Sequence, residues 1–226
     1  MELQRPFHEQ DGQIAIELPG AQALFTTRAW GDVRDTGQQI SERLGVRLAR
    51  PRQVHGNHVV TVTDDPTNGA PQPLAEGDAI VTALHGVAPT VLTADCLPIV
   101  IATSSAVGVV HAGWRGLAAG VIRATAAALR EHGGGVMYAA IGPGAGVCCY
   151  EVSDDLHRRF KAHCQDFRRG ANLDLKAIAR VQLMEAGVAR IHDTELCTIC
   201  GDPTLTFSYR REGPQTGRQA AIAWLR

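Results

Sequence analysis

The sequence predicts an α/β fold: one domain over residues 1–226, with mixed sheets and helices packed outside them. Three observations predict it. A chain of 226 residues suits one large domain, and a hydrophobic content of 45% supplies a sizeable core. Short β-rich runs and helical stretches follow one another along the whole length. No internal repeat, low-complexity tract or linker divides the chain.

In chain order, Ile14–Leu18 and Ala23–Thr27 alternate as the strands of a hairpin, with Pro19-Gly20 as the turn. Arg28–Asp35 reads as a loop. Thr36–Leu44 reads as a short helix, capped by Thr36 and stopped by Gly45. Val59–Val62 is a strand, preceded by Gln53-Val54-His55-Gly56-Asn57. Asp64–Pro73 is a surface loop of Pro, Asn, Gly and Asp. Asp78–Thr82, Thr90–Thr93, Ile99–Thr103 and Ala106–His111 are strands. Leu117–His132 is the strongest helix, rich in Ala, Leu and Arg and closed by Gly133-Gly134-Gly135. Val136–Ile141 is a strand that feeds the glycine-rich turn Gly142–Gly146. Ser153–His163 and Leu173–Ala186 are helices, with Asp154, Asp155 and Asp174 near their positive ends. Ala189–His192, Thr204–Tyr209 and Gln219–Trp224 finish the chain as strands.

Composition excludes several functions. The net charge is −1 and no long basic block occurs, which argues against nucleic-acid or membrane-surface partners. Aromatics are only 5%, too few for a single-strand stacking platform. The polar N-terminus has no apolar signal-peptide core, and no run approaches the roughly 20 apolar residues of a membrane span. The chain reads as soluble and cytoplasmic. Its six cysteines then suit metal binding, catalysis or burial better than a disulfide frame.

Chemistry concentrates in Thr90–Leu117. Cys96 follows Ala94-Asp95 at one strand end, and His111 closes the next strand. Strand ends hold such groups rigidly. A metal needs a third ligand, and His55, beside Gly56, is the best choice; His58 and His85 are rivals. Two imidazoles and a thiolate leave one position open on Zn²⁺, as catalytic zinc requires. The same set suits copper, so ligand type alone does not choose. After His111, the glycine at 113, Arg115 and Gly116 precede a helix; free N–H groups and a guanidinium there favour phosphate or carboxylate. An ordinary turn with a surface arginine is the plain alternative. Arg210, in Phe207-Ser208-Tyr209-Arg210-Arg211, either lines the pocket or is a solvated strand end. Cys197-Thr-Ile-Cys200 has zinc-knuckle spacing but only two ligands. Cys148-Cys149 complete a set only if folding brings the pairs together; otherwise they are free thiols.

The segments RQVHGNHV, GDAIVT, LTADCLPIVI, GVVHAGWRGL, AAIGPGAGVCCYEV, NLDLKAIARVQLMEAGV and CTICGDPTLTFSYRREGPQTGRQ occur in this order over roughly residues 51–226. By them the chain resembles the YfiH-like laccase-domain family, also called polyphenol oxidase, peptidoglycan-editing-factor or purine nucleoside phosphorylase-type proteins. The resemblance implies a single αββα-type layered domain. It also implies a metal, usually zinc, on His55, Cys96 and His111. One departure is that AWGDVRDTGQQ follows Thr26-Thr27-Arg28 where the family usually carries a longer segment with a Gly-Gly-Val-Ser turn. Part of the pocket rim therefore differs.

Three chemistries attach to that resemblance. The first is phosphorolysis of purine nucleosides (adenosine, inosine, methylthioadenosine), with adenosine deaminase activity in some members. The second is amide hydrolysis that edits a peptidoglycan precursor, and the third is copper-dependent phenol oxidation. None of the nine histidines forms the His-x-His pair of a trinuclear copper cluster. Phosphorolysis fits the anion-friendly turn, with Arg115 and the Gly113–Leu117 amides on phosphate. Asp95 is either an acid/base group or a positioning partner of the ligands. A non-catalytic metal-binding protein is the reading outside enzymology.

Overall fold

Strands buried on both faces read as continuous apolar runs, and this chain stacks two sheets of them. The structure is a computed structural model describing residues 3–64, 73–132, 134–161 and 167–226. Cys164, the end of the helix expected over Ser153–His163 and most of the loop expected over Asp64–Pro73 lie outside the described residues.

The chain opens with β1 (His8–Gln10), β2 (Gln13–Leu18) and β3 (Ala21–Phe25). Helix α1 (Val33–Leu44) leads into β4 (Arg47–Arg52), β5 (Val59–Val62) and β6 (Pro73–Glu76). Then come β7 (Ala79–Thr82), β8 (Val87–Thr93), β9 (Leu97–Ala102) and β10 (Val107–Ala112). Helices α2 (Trp114–Ala119) and α3 (Val121–Glu131) precede β11 (Met137–Ile141) and α4 (Asp154–Phe160). The chain ends with β12 (Arg168–Arg169), β13 (Asn172–Leu173), α5 (Leu175–Glu185), β14 (Val188–Asp193), α6 (Tyr209–Glu212) and β15 (Gln219–Leu225).

Seven strands make one sheet in the order β1-β2-β3-β15-β8-β4-β6, and six make the other in the order β14-β11-β9-β10-β7-β5. Both mix parallel and antiparallel pairs. Side chains alternate between layers, as the period of two requires. On β9, Leu97, Ile99 and Ile101 face α3 and α5, while Val100 and Ala102 face the other sheet. On β15, Ala221 and Ala223 face the inter-sheet core, while Ala220 and Ile222 pack on α1. The layering is α, β, β, α. Each fully buried Ile or Leu contributes roughly 1.5–3 kcal/mol, against about 1 kcal/mol for a helix cap. The three cores therefore dominate the stability of the layers.

Several elements depart from the sequence reading. The helix expected over Leu117–His132 is two helices, because Gly120 turns left-handed (φ 80°) between them. Helix α1 starts earlier than Thr36: Asp32 caps it by accepting from Arg34 N at 3.0 Å. Arg28–Trp30 is a short 3₁₀ turn within the expected loop. Thr204–Tyr209 is not a strand. Both edges of β15 are already occupied, by β3 and β8. The Gln219 side chain pairs with the segment instead, accepting from Phe207 N at 2.8 Å and donating to Phe207 O at 3.1 Å. Ser208 then caps α6.

Glu212 clamps this C-terminal loop to the exit of the N-terminal hairpin. It pairs with Arg28 and Arg211, and accepts from Thr216 Oγ1 at 2.7 Å. Partial burial pushes its carboxyl up, but Thr216 and the two guanidiniums outweigh that and hold it at about 2, below its ordinary 4.5. A depressed folded-state value means the clamp stabilises fully above the unfolded value and loses its effect as pH falls through the folded one. Glu212→Gln should therefore lower the urea midpoint by a constant amount above about pH 5, and that deficit should shrink towards pH 2. Equal deficits at both ends would contradict the clamp.

Candidate metal centre

An acid heading an otherwise apolar strand must find donors, and Asp78, fully buried just before β7, finds four. Its carboxylate accepts from the backbone N–H of Val54 (3.1 Å), His55 (2.8 Å) and Gly56 (2.6 Å). It also accepts from His111 Nδ1 at 2.7 Å. One side chain thus fixes the loop between β4 and β5 and the imidazole on β10. His55 is in that loop rather than at a strand start, with a left-handed φ of 62°. Such backbone costs about 1–3 kcal/mol and persists only where neighbours impose it; here Asp78 does.

The donor atoms of His55, Cys96 and His111 all lie within 4.8 Å of one another. The two imidazoles meet edge to face, with centroids 4.7 Å apart. Cys96 sits in the turn between β8 and β9. His58 does not join this group; its Nδ1 bonds Glu76 O at 2.7 Å. Neither does His85.

Burial opposes charge on Cys96. The adjoining His111 imidazolium and hydrogen bonds from both histidines nevertheless pull its thiol down to about 6. Burial also works against a charged His111, but the Cys96 thiolate and Asp78 hold it up at about 9. Asp78 itself is pushed up by burial and held below the usual carboxylate range by His111 and the Gly56 and Val54 amides. Since Nδ1–H is committed to Asp78, Nε2 of His111 is left for Cys96 or a cation. A thiolate and two imidazoles with a carboxylate behind one of them is a donor set that fits zinc, and copper as well.

Gly113 has a packing role at this centre. A Cβ there would lie 2.8 Å from Cys96 Sγ. Gly116 packs likewise, its Cβ position being 3.0 Å from Gly56 O. Arg115 lies over the Trp114 ring at 4.4 Å. Asp95 is buried with a φ of 87°. Its two carboxylate oxygens accept from Thr198 Oγ1 at 2.6 Å and from Arg210 N at 2.7 Å. That geometry makes it a brace for the chain's C-terminal loops. The Arg210 guanidinium stacks on Tyr150 at 4.9 Å.

Above the three donors opens a cleft of about 790 Å³, which Arg34, Arg50, Arg52, Arg115, Arg210 and Arg218 help to line. Among the described residues Asp95 is the only acid in its lining, so the cleft is cationic. Arg50 and Arg115 form no ion pair among the described residues. Sequence reasoning missed Asp78, Arg50 and Tyr150. Only Asp78 left a signal, as the charged first residue of Asp-Ala-Ile-Val-Thr.

Removing the Asp78 carboxylate leaves three amides and an imidazole without their acceptor. Asp78→Ala should cost about 3–5 kcal/mol in urea unfolding, and Asp78→Asn, which keeps one acceptor oxygen, distinctly less. Equal, small losses in both would contradict the organising role.

The family model described as multi-copper polyphenol oxidoreductase laccase matches residues 29–226. A purine nucleoside phosphorylase of Xylella fastidiosa is 42% identical over 186 residues, covering 77% of this chain and 70% of that protein. Another, of Aquifex aeolicus, is 40% identical over 182 residues, covering 75% and 85%. The solved structure of Bacillus licheniformis YfiH matches with a TM-score of 0.87 at 26% identity, over 99% of this chain and all of that one. The chain therefore belongs to the YfiH-like laccase-domain family, whose model carries the polyphenol oxidoreductase description.

Proposed function

We propose that residues 1–226 form one catalytic domain that cleaves purine nucleosides with phosphate, adenosine, inosine and methylthioadenosine being the substrates to try first. One observation carries this reading: an arginine-lined cleft stands directly over the His55–Cys96–His111 donors. The names of relatives at 40% and 42% identity support the substrate class. The small-molecule scale of the cleft also suits a nucleoside with phosphate.

His55, Cys96 and His111 would hold the metal, zinc by preference with copper also accommodated, and the ion would supply Lewis-acid polarisation of a substrate oxygen. The chain does the rest. Arg115 and the N–H groups of Trp114, Arg115 and Gly116 at the start of α2 hold the phosphate dianion, with Gly116 keeping that turn close to the His55 loop; the Leu117 N–H is already given to Gly113 O at 2.9 Å. Arg210 and Arg50 add charge to the same cleft. Phosphate oxygen forms the new bond to the anomeric carbon as the C–N bond breaks; the electron pair leaves with the purine, which takes up the proton that the monohydrogen phosphate loses. Tyr150, kept protonated by burial and by the nearby Cys96 thiolate, offers a neutral hydroxyl to base or sugar. Asp95 positions Arg210 rather than moving protons. No nucleic-acid or membrane partner enters the scheme; no helix among the described residues is long and apolar enough to cross a membrane.

The purified protein should release adenine from adenosine only when phosphate is present. Arg115→Ala should raise the phosphate KM at least tenfold, about the loss of one charged hydrogen bond. An unchanged phosphate KM removes Arg115 from the anion site. Ammonia release without phosphate indicates deamination, and turnover of a peptidoglycan precursor alone indicates the amidase.

A further inference from the structure

The chain gathers soft donors a second time, outside the lining of the cleft. The Sγ atoms of Cys148, Cys149, Cys197 and Cys200 all lie within 4.8 Å of one another. Cys148 Sγ and Cys200 Sγ are 3.3 Å apart, far beyond the roughly 2.05 Å of a disulfide bond. Sulfurs at the corners of a tetrahedron around zinc, each about 2.3 Å from it, stand about 3.8 Å apart. The four are thus close to ligating positions without a backbone change.

Two turns present them. Cys148 and Cys149 lie in a turn where the N–H groups of Cys149 and Tyr150 both donate to Gly146 O at 3.1 Å. Cys197 and Cys200 lie in Cys-Thr-Ile-Cys-Gly, a knuckle closed by Gly201 N donating to Cys197 O at 3.0 Å. Gly144 joins the two turns, through Thr198 N to Gly144 O at 3.0 Å. Backbone N–H groups also converge on sulfur. Gly146 N donates to Cys197 Sγ at 3.2 Å, and the Ile199 and Cys200 amides point to the same atom. Such amides stabilise a charged thiolate without neutralising it. A Cβ on Gly146 would come within 3.0 Å of Cys148 Sγ and 3.2 Å of Cys197 Sγ, so a side chain there would press on both sulfurs. The neighbouring cations are already committed: Lys176 and Arg180 each bind Asp193 at 2.7 Å. Four thiolates this close repel one another unless a cation sits among them.

We infer that Cys148, Cys149, Cys197 and Cys200 form a closed tetrathiolate site for one thiophilic divalent cation of the zinc class. Sulfur fills all four positions, leaving none for water or substrate, so the site is structural. Its metal staples the turn after β11 to the knuckle after β14. Both segments brace the cleft. Ala145 N donates to Asp95 O at 2.7 Å, and Thr198 Oγ1 to Asp95 Oδ1 at 2.6 Å. Arg211 Nη1 donates to Thr198 O at 2.6 Å, next to Arg210. The inference is independent of the activity proposed above.

The test is metal content and cobalt spectroscopy of the full chain, purified under reducing conditions without chelator. Wild type loaded with Zn²⁺ should carry about two ions per chain, a closed site and a three-ligand site. Cys197→Ser with Cys200→Ser should remove one, and His55→Ala should remove the other. Loaded with Co²⁺, the Cys96→Ser protein should still show intense thiolate-to-metal charge transfer, a readout that does not depend on the double variant folding. Absence of that band overturns the site. So does zinc content unchanged by the double serine variant, or isolation of these cysteines as two disulfides under the same conditions.

Discussion

The buried carboxylate of Asp78 is the constraint on which the candidate centre depends. It binds the backbone of the loop after β4 and the imidazole on β10 at once. Its three backbone contacts hold His55 in a left-handed conformation that a β-carbon resists. Its fourth contact sets the His111 tautomer and turns Nε2 toward Cys96. A loop residue, a turn residue and a strand residue, far apart in sequence, thereby share one small volume.

The layered fold makes that arrangement affordable. With β7, β9 and β10 buried on both faces, their ends cannot drift, and the loops above them inherit the rigidity. The charges then divide by depth. At the bottom the His111 imidazolium lies between the Cys96 thiolate and the Asp78 carboxylate and offsets charges that burial would penalise alone, leaving one net negative charge. The arginines stay at the cleft wall. Asp95 touches both regions and spends its oxygens on Thr198 and Arg210, tying the wall to the floor.

Much of this was legible in the sequence, and the illegible parts share a cause. Double-faced strands such as Leu97–Ala102 announce themselves by unbroken hydrophobicity, and the helix caps by Asp174 and Gly45. Cys96 and His111 stand out because each lies at the edge of an apolar run, Cys96 just before β9 and His111 near the end of β10. Asp78 does not stand out, since its role exists only once Val54–Gly56 folds over it. Thr204–Tyr209 has strand composition, but whether a strand forms depends on a free sheet edge, and β15 has none. Gly120 is tolerable inside a helix by composition alone, and only the docking of α2 and α3 shows that it breaks one. The cysteine pairs at 148–149 and 197–200 each looked incomplete. Their meeting rests on the Gly144 bridge, a tertiary contact that no local spacing encodes. The altered segment after Arg28 became a 3₁₀ turn and an Asp32-capped helix, so the fold absorbs it.

In the proposed reaction the cleft over His55, Cys96 and His111 delivers phosphate, not water, to the sugar of a nucleoside. Phosphorus NMR of the products from adenosine and inorganic phosphate tests it most directly. A pentose 1-phosphate signal should grow in step with free adenine. Free ribose with the phosphate signal unchanged, or inosine with no C–N cleavage, would contradict it.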